Sequence, residues 1–483
     1  MTQLDHETPF DAVAVDPASR PNLDDQLSTE TDHWETNKNK CCYLFHHQEG
    51  SNHWKKAAAV AAILLVTVLG IAYAKAFSLT SNNSDDSSLS RMEYRAKMES
   101  MAEMISDPLT LLDPFSAQSR ALDWLVDTDT LSIDIDYDHS SDNNNNNNNN
   151  NFKQRYALMV FFFATNGNGW TMVETWDELT GTSECSFSGI DCDSKMRVIA
   201  LSMSARRLSG TIPEEVGVLS YLETLILGRN DLQGSIPSSI FTGCQRLVRF
   251  DVGFNRLSST LSTEIGTLVN LQVLLVSSTS ISGPLPESLK NLSQLLSVGF
   301  VRTNLEGPIF DFVQRWPNIR ALLLDGSNVN LTIPTEIGKL TNMQSLRLHA
   351  LGTHGGSIPS EIGNLEKLEH LVIEGTTYTG SIPSQIGKLS NLTYIRISGG
   401  LITGTLPTEI ASLTSLERLD LMDNNLDGDI SADIGNLEQL TEFSIAGNNF
   451  EGRLPGTFCS VQAIFYDCTL TCDCCACTCF ACT

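Results

Sequence analysis

Basic residues are scarce in this chain. Its 483 residues carry 31 Lys and Arg against 57 Asp and Glu, a formal net charge of -26. A nucleic-acid binder needs a clustered basic footprint, so that class is excluded. The surplus negative charge is what self-repulsion uses to keep an acidic surface soluble. Catalytic constellations are missing as well. Gly338-Lys339 and Gly387-Lys388 end like phosphate-binding loops, but no Ser or Thr follows either Lys and the earlier Gly is absent. Ser, His and Asp never gather around one predicted site, so no enzymatic activity, cofactor or metal is expected. Cysteine is sparse through the middle of the chain: of 13, eight fall between Cys459 and Cys482.

Long apolar runs are equally rare. The one that settles topology is Ala57 to Ala74, "AAAVAAILLVTVLGIAYA", bracketed by Lys55, Lys56 and Lys75. As a helix it reaches roughly 27 Å, close to the ~30 Å hydrocarbon core of a bilayer, so residues 55–77 are expected to form a transmembrane helix. The triplets "AYA" and "AKA" resemble cleavage sites, but a leader of 54 residues is too long for that pattern. Lys38, Lys40, Lys55 and Lys56 precede the run and only Lys75 follows closely, which places the amino end in the cytosol. The expected arrangement is single-pass type II, in the plasma membrane, with the larger part outside. All four Asn-X-Ser/Thr glycosylation acceptors, Asn82, Asn291, Asn330 and Asn391, lie after the run.

Residues 1–54 are polar, acidic and aperiodic, and are expected to be a disordered cytosolic tail. That tail is too short for a kinase, so any signal would pass through a partner. Residues 78–151 are expected to be an acidic flexible stalk ending in the polar homopolymer Asn143 to Asn151, which cannot bury enough apolar surface to offset its ordering entropy. Within it, a short helix is expected around Met92 to Met104. "SRALDWLVDTD" (Ser119 to Asp129) reads as a helix that docks on the region carboxyl-terminal to the stalk.

From there a period takes over. Successive units begin at Val198, Leu222, Leu247, Leu271, Leu295, Ile319, Met343, Leu368, Leu392, Leu416 and Leu440, spaced by 24 residues with single insertions in the units at Leu222 and Met343. Each reads L-x-x-L-x-L-x-x-N-x-L-x-G-x-I-P-x-x-I-G-x-L-x-x. The opening stretch alternates like a short strand, Gly and Pro turn the chain, and I-G-x-L packs back on the far side. One unit cannot bury its own leucines; stacking buries them in a column.

"LSGTIPEEVG" (Leu208 to Gly217), "LQGSIPSSI" (Leu232 to Ile240) and "ITGTLPTEI" (Ile402 to Ile410) resemble the hallmark of plant-type leucine-rich repeats. The wider layout resembles membrane-anchored algal repeat proteins and the ectodomains of plant receptor kinases and receptor-like proteins. The resemblance implies an α/β solenoid, a superhelix of about 11 repeats, with a helical amino-terminal cap over residues 152–195, repeats over 196–458 and a Cys-rich carboxyl-terminal cap over 459–483. Within the first cap, "CSFSGIDC" sets Cys185 and Cys192 at the spacing of that family's cap disulfide. For Cys459, Cys468, Cys472, Cys474, Cys475, Cys477, Cys479 and Cys482, disulfide staples over the last repeat are favoured over a soft-metal cluster. Cys244 reads as a lone buried thiol.

The ninth repeat position, usually an Asn that satisfies turn backbone, reads Arg206, Asn230, Asn255, Thr279, Thr303, Ser327, Leu351, Thr376, Gly400, Asn424, Asn448. Leu351 and Gly400 offer no side-chain hydrogen bond, so irregularity is expected there. The third, fifth, seventh and eighth positions point to the concave side. They are partly apolar at Val273, Leu275, Val301 and Leu323, then turn basic and aromatic at Arg347, His349, His370, Tyr394, Arg396 and Arg418, interrupted by Glu374 and Asp420. On an acidic chain this is a local reversal of sign. It marks a binding strip for a peptide or protein ligand, with a co-receptor as the expected partner. The guanidinium groups beside Tyr394 suit a carboxylate or sulfate. Two rival readings are an adhesion or wall-associated structural protein and a released inhibitor of extracellular enzymes.

Overall fold

The computed structural model describes residues 86–129, 146–171 and 176–479, apart from breaks at 327, 330, 350–354, 376, 468–469 and 473–477. The expected cytosolic tail, the candidate membrane span and Asn82 lie outside these residues. Among the described residues no helix is long and apolar enough to cross a membrane.

Each unit contributes one short strand where its leucines alternate, and all 11 pair in parallel with the next unit in order, from Val198–Ser202 to Glu442–Ser444. Ile190–Cys192 adds an antiparallel strand at one end; Ala463–Tyr466 and Thr478–Cys479 extend the sheet at the other, giving 14 strands. The repeat leucines form one column of buried side chains, with Leu225, Phe250, Leu274, Val298, Leu322, Leu346, Leu371, Ile395 and Leu419 at most 1% exposed. Burying one such side chain contributes roughly 1.5–3 kcal/mol, which a unit gains only from its neighbours.

The far side differs from the expected α/β pattern. Most units return through a single 3-10 turn, such as Ser360–Asn364, Ser384–Lys388 and Thr408–Ser412, because Pro at the cap and Gly inside leave too few residues for an α-helix. The extra residue in the unit at Leu222 permits a true α turn, Ser238–Gly243. The Gly of I-G-x-L is required by close approach. A Cβ on Gly363 would sit 2.5 Å from the Gln385 carbonyl oxygen, and one on Gly387 equally close to that of Glu409.

The stalk expectation needs correction. Helix α1 (Asp86–Glu103) packs on helix α2 (Ala117–Asp123) and on helix α3 (Asn146–Ala164), burying Met98, Ala102, Leu122, Trp124 and Leu125. Arg95 bridges Glu99, Asp123 at 2.5 Å and Asp127, which fastens α1 to α2. Ser106 Oγ donates to Glu215 Oε1 at 2.5 Å, and Gln118 Nε2 donates to the same oxygen at 3.1 Å. Residues 86–129 are therefore folded against the first repeat, and Asn146 to Asn151 are helical rather than spacer. Among the described residues the folded region includes 86–129, well before residue 152.

Helix α3 is buried on all sides from Tyr156 to Phe162 because residues 86–129 cover one side and the repeats the other. It ends at Asn166, which turns left-handed at φ 58°. Gln154 Oε1 accepts from Val198 N, and Ser209 N donates to the Thr165 carbonyl, so the helix meets the edge of the first repeat. Arg155, 1% exposed, pairs with Asp129 at 2.6 Å and with Glu184 at 3.4 Å. Cys185 and Cys192 form a disulfide. Cys459 is disulfide-bonded as well, Cys472 and Cys479 sit in short strands, and Cys468, Cys474, Cys475, Cys477 and Cys482 lie outside the described residues. Cys244 is free and buried, its thiol pushed up to about 12 by burial.

Candidate ligand-binding face

Strand pairing converts a separation of 24 or 25 residues along the chain into one strand spacing, about 4.8 Å. Third positions line up as Ala321, Ser345, His370, Tyr394, Arg418 and Glu442; fifth positions as Leu323, Arg347, Val372, Arg396, Asp420 and Ser444. His349, Glu374 and Ser398 make a short seventh row. This row exists because the strands Ser345–His349, His370–Glu374 and Tyr394–Ser398 are five residues long, where most others have three.

The ninth position also differs along the solenoid. Asn230 and Asn255 accept from backbone N–H groups of the preceding unit, Arg206 and Leu208 for the first and Leu232 for the second. Their amides donate back to carbonyls of both units, which pulls the chain out of the sheet. Thr279 and Thr303 each reach only one carbonyl, in their own unit. The three five-residue strands belong to the units whose ninth residues are Leu351, Thr376 and Gly400, whereas the units with Thr279 and Thr303 keep strands of three. Of the two positions where irregularity is expected, Leu351 lies outside the described residues, and Gly400 follows the five-residue strand Tyr394–Ser398 and a left-handed Gly399. Tyr378 adds a compensation: buried, its hydroxyl donates to the Leu331 carbonyl at 2.9 Å, two units back.

The basic strip predicted from sequence is assembled, but its charge is not free. Arg396 Nε lies 2.6 Å from Glu374 Oε1 and 3.2 Å from Asp420 Oδ2, and it also donates to Ser398 Oγ at 3.3 Å. Arg347 pairs with Asp325 at 3.1 Å, and His349 Nδ1 is 3.8 Å from Glu374. Burial pushes the Asp325 and Asp420 carboxyls above their ordinary range, with Arg347 and Arg396 respectively pulling back. Burial lowers the pKa of His370. Burial also opposes the charge on Arg396, but Glu374 and Asp420 outweigh it and raise its pKa. Tyr394 faces Arg418 in register, and Arg418 is exposed. Sequence reading set Asp420 against Arg418; the structure sets it on Arg396. Arg347 and Arg396 are two strands apart, with Val372 between them.

A second set of residues went unnoticed in the sequence. The eighth position has positive φ in every described unit: Gly326, Gly375, Gly399 and Gly447 meet it freely, whereas Ala205, Arg229, Phe254, Ser278, Arg302 and Asp423 hold φ between 50° and 60°. Phe254 is 45% exposed there, and the Arg229 guanidinium stacks 4.8 Å from its ring centroid. Arg229 and Arg302 are both exposed. Nearby carboxylates are spent elsewhere, Asp231 on Arg256 and Asp325 on Arg347. Asp251, half-buried with its carboxyl raised by burial, is the acid that faces Arg249 and Arg229. Between this row and the charged network, Leu275, Val301 and Leu323 are partly exposed, whereas Val273 is buried. The signal that could have found the row is a bulky or cationic residue where the turn favours Gly.

Of the glycosylation acceptors, Asn291 and Asn391 are exposed, and Asn391 Nδ2 donates to the Glu366 carbonyl; Asn330 lies outside the described residues. Among the described residues no group of three His, Cys, Asp or Glu could hold a metal ion.

A family model described as "Leucine-rich repeat region" matches residues 312–461, and one described as "Leucine Rich Repeat" matches 270–292. Receptor-like protein kinase 7 of Arabidopsis thaliana is 38% identical over 81 residues, 17% of this chain and 8% of that protein. The chain thus spans a small part of such relatives' length. Among solved structures, the LRR ectodomain of the A. thaliana membrane receptor kinase GASSHO1/SCHENGEN3, in complex with CASPARIAN STRIP INTEGRITY FACTOR 2, aligns at TM-score 0.55 and 29% identity, over 62% of this chain and 38% of that one. The Arabidopsis receptor kinase HAESA, in complex with the peptide hormone IDA and the co-receptor SERK1, aligns at TM-score 0.56 and 27% identity, over 60% of this chain and 49% of that one.

Proposed function

We propose that this chain, a plant-type leucine-rich repeat protein resembling receptor ectodomains, is a receptor-like binding protein. It holds an extended peptide or protein segment along the exposed face of its parallel sheet and signals through a separate partner. The observation that carries this reading is the sheet face itself. Its 11 repeat strands form an unbroken strip, roughly 50 Å long, on which apolar Leu275, Val301 and Leu323 adjoin a pre-ordered charged network. HAESA, which shares the fold, is in complex with a peptide hormone and a co-receptor, and that supports the same kind of ligand here.

In this reading Arg396 is the anchor. Glu374 and Asp420 hold its Nε edge, which fixes the guanidinium beside Tyr394 for a ligand carboxylate or sulfate. Tyr394, Arg418, Arg347, His349 and His370 complete the strip. The protein acts outside the cell, anchored by residues 55–77, with glycans on Asn82, Asn291, Asn330 and Asn391 and disulfides among the carboxyl-terminal cysteines. It is not an enzyme. The test is capture of peptides from an unbiased library by the full chain. Recovered sequences should be lost with Arg396→Ala and retained with Arg206→Ala; equal recovery by both variants would sink the reading.

A further inference from the structure

The eighth-position row Arg229, Phe254, Ser278, Arg302 runs along the rim of the sheet over four consecutive units. Holding a residue with a Cβ in the left-handed region costs roughly 1–2 kcal/mol, and Gly at the same position in four other units shows the cost is avoidable. At Phe254 the chain accepts that strain and also exposes an aromatic ring. Arg229 is stacked on that ring, which fixes the guanidinium plane while its N–H edge stays open. Arg302, three units on, places a second cation roughly 14 Å away. Leu275 and Val301 lie alongside, and the buried Nε of Arg249 has no hydrogen-bond partner.

We infer that this rim is a recognition subsite for an extended acidic peptide segment, with two carboxylates about four residues apart flanking an apolar or aromatic residue. At ~3.4 Å per residue, such a segment spans the two guanidinium groups while its central side chain meets Phe254. The two cations lie about four extended residues apart, with the ring between them. That spacing and the apolar floor favour a peptide over a uniformly charged polysaccharide. The inference rests on the sheet face being a peptide-binding surface, and it adds residues which that reading does not use.

The test uses the full chain and a fluorescein-labelled Glu-Ser-Phe-Ser-Glu peptide. A Lys-Ser-Phe-Ser-Lys peptide and dextran sulfate serve as counter-probes. The wild type should bind the acidic peptide and not the basic one. Arg229→Ala and Arg302→Ala should each weaken binding at least tenfold. Phe254→Gly should weaken it severalfold with the melting temperature unchanged or raised, because strain is released while contact is lost. Failure of the wild type to bind the acidic peptide overturns the subsite, as does wild-type affinity in all three variants. Dextran sulfate binding that depends on the same residues and that the peptide cannot displace overturns the choice of ligand. If the rim variants bind normally while Arg396→Ala loses the peptide, the subsite falls and the broader reading stands.

Discussion

Arg229 and Arg396 sit on the same sheet, seven units apart, and live in different electrostatic worlds. Arg396 is half-buried between Glu374 and Asp420, and Arg229 lies exposed on Phe254 with Asp251 as its nearest counter-charge. The backbone differs in step. Around Arg229, Asn230 and Asn255 tie consecutive units together through their turns; around Arg396, longer strands add to the one such tie that Asn424 makes. A cation in the second region is held by carboxylates of neighbouring strands, whereas Arg229 in the first rests on an aromatic ring. Counting basic residues along the sequence hides that distinction.

The sharpest way to break this comparison is through the turns. Asn255→Ala removes an acceptor for Leu232 N and donors to the Leu227 and Val252 carbonyls, all buried, and should cost about 3 kcal/mol. Thr303→Ala, which removes one bond to the Phe300 carbonyl, should cost about 1 kcal/mol. Chemical denaturation of the two variants checks the order. Similar losses would mean the Asn residues do not stitch the first region together.

The charges give the next contrast. Arg396→Ala strands two carboxylates and should lower stability by about 1 kcal/mol, a value kept small by solvent screening. Arg229→Ala should change it by less than about 0.5 kcal/mol. Thermal melts in low and high salt separate them: the Arg396 effect should shrink with salt. An Arg229→Ala loss as large as that of Arg396→Ala would erase the distinction.

The smallest effect expected is a pH dependence confined to the second region. His370 has its pKa lowered by burial, with Arg347 adding to the effect and Glu369 and Glu417 opposing it. The unfolded chain therefore takes up the proton first as pH falls. Stability is full above about pH 6.5, the ordinary His value, and declines as pH drops from there toward the lower folded value. His370→Gln should flatten that decline in melts between about pH 7 and 5. An unchanged slope would assign the decline to other groups.

Much of the fold was legible because the repeat is a local requirement. The strand starts, the buried alternation and the turn glycines each arise from residues within one unit, while the Cys185–Cys192 pair came from the resemblance. The two helices of the amino-terminal arm were legible, but the docking of the first was not, for a physical reason. Helix α1 is mostly polar and rests on the rest of the chain through few side chains, Met98 and Ala102 among them, so its apolar signal is too thin to separate from a stalk. The binding face was legible in part. Tyr394 and Arg396 share a strand and could be placed together, but Asp325 belongs to another unit and its pairing with Arg347 depends on side-chain reach across strands.

The sequence by itself determined the period, the parallel sheet and which side chains face inward, because a unit that cannot bury its leucines must stack. Only the tertiary structure decided which charges meet and which stay free. Coulomb attraction between half-buried groups acts over a few ångströms, and stacking brings residues 24 positions apart within that distance. Whether an arginine then finds a carboxylate or an aromatic ring is set by the neighbouring units, and that separates Arg396 from Arg229.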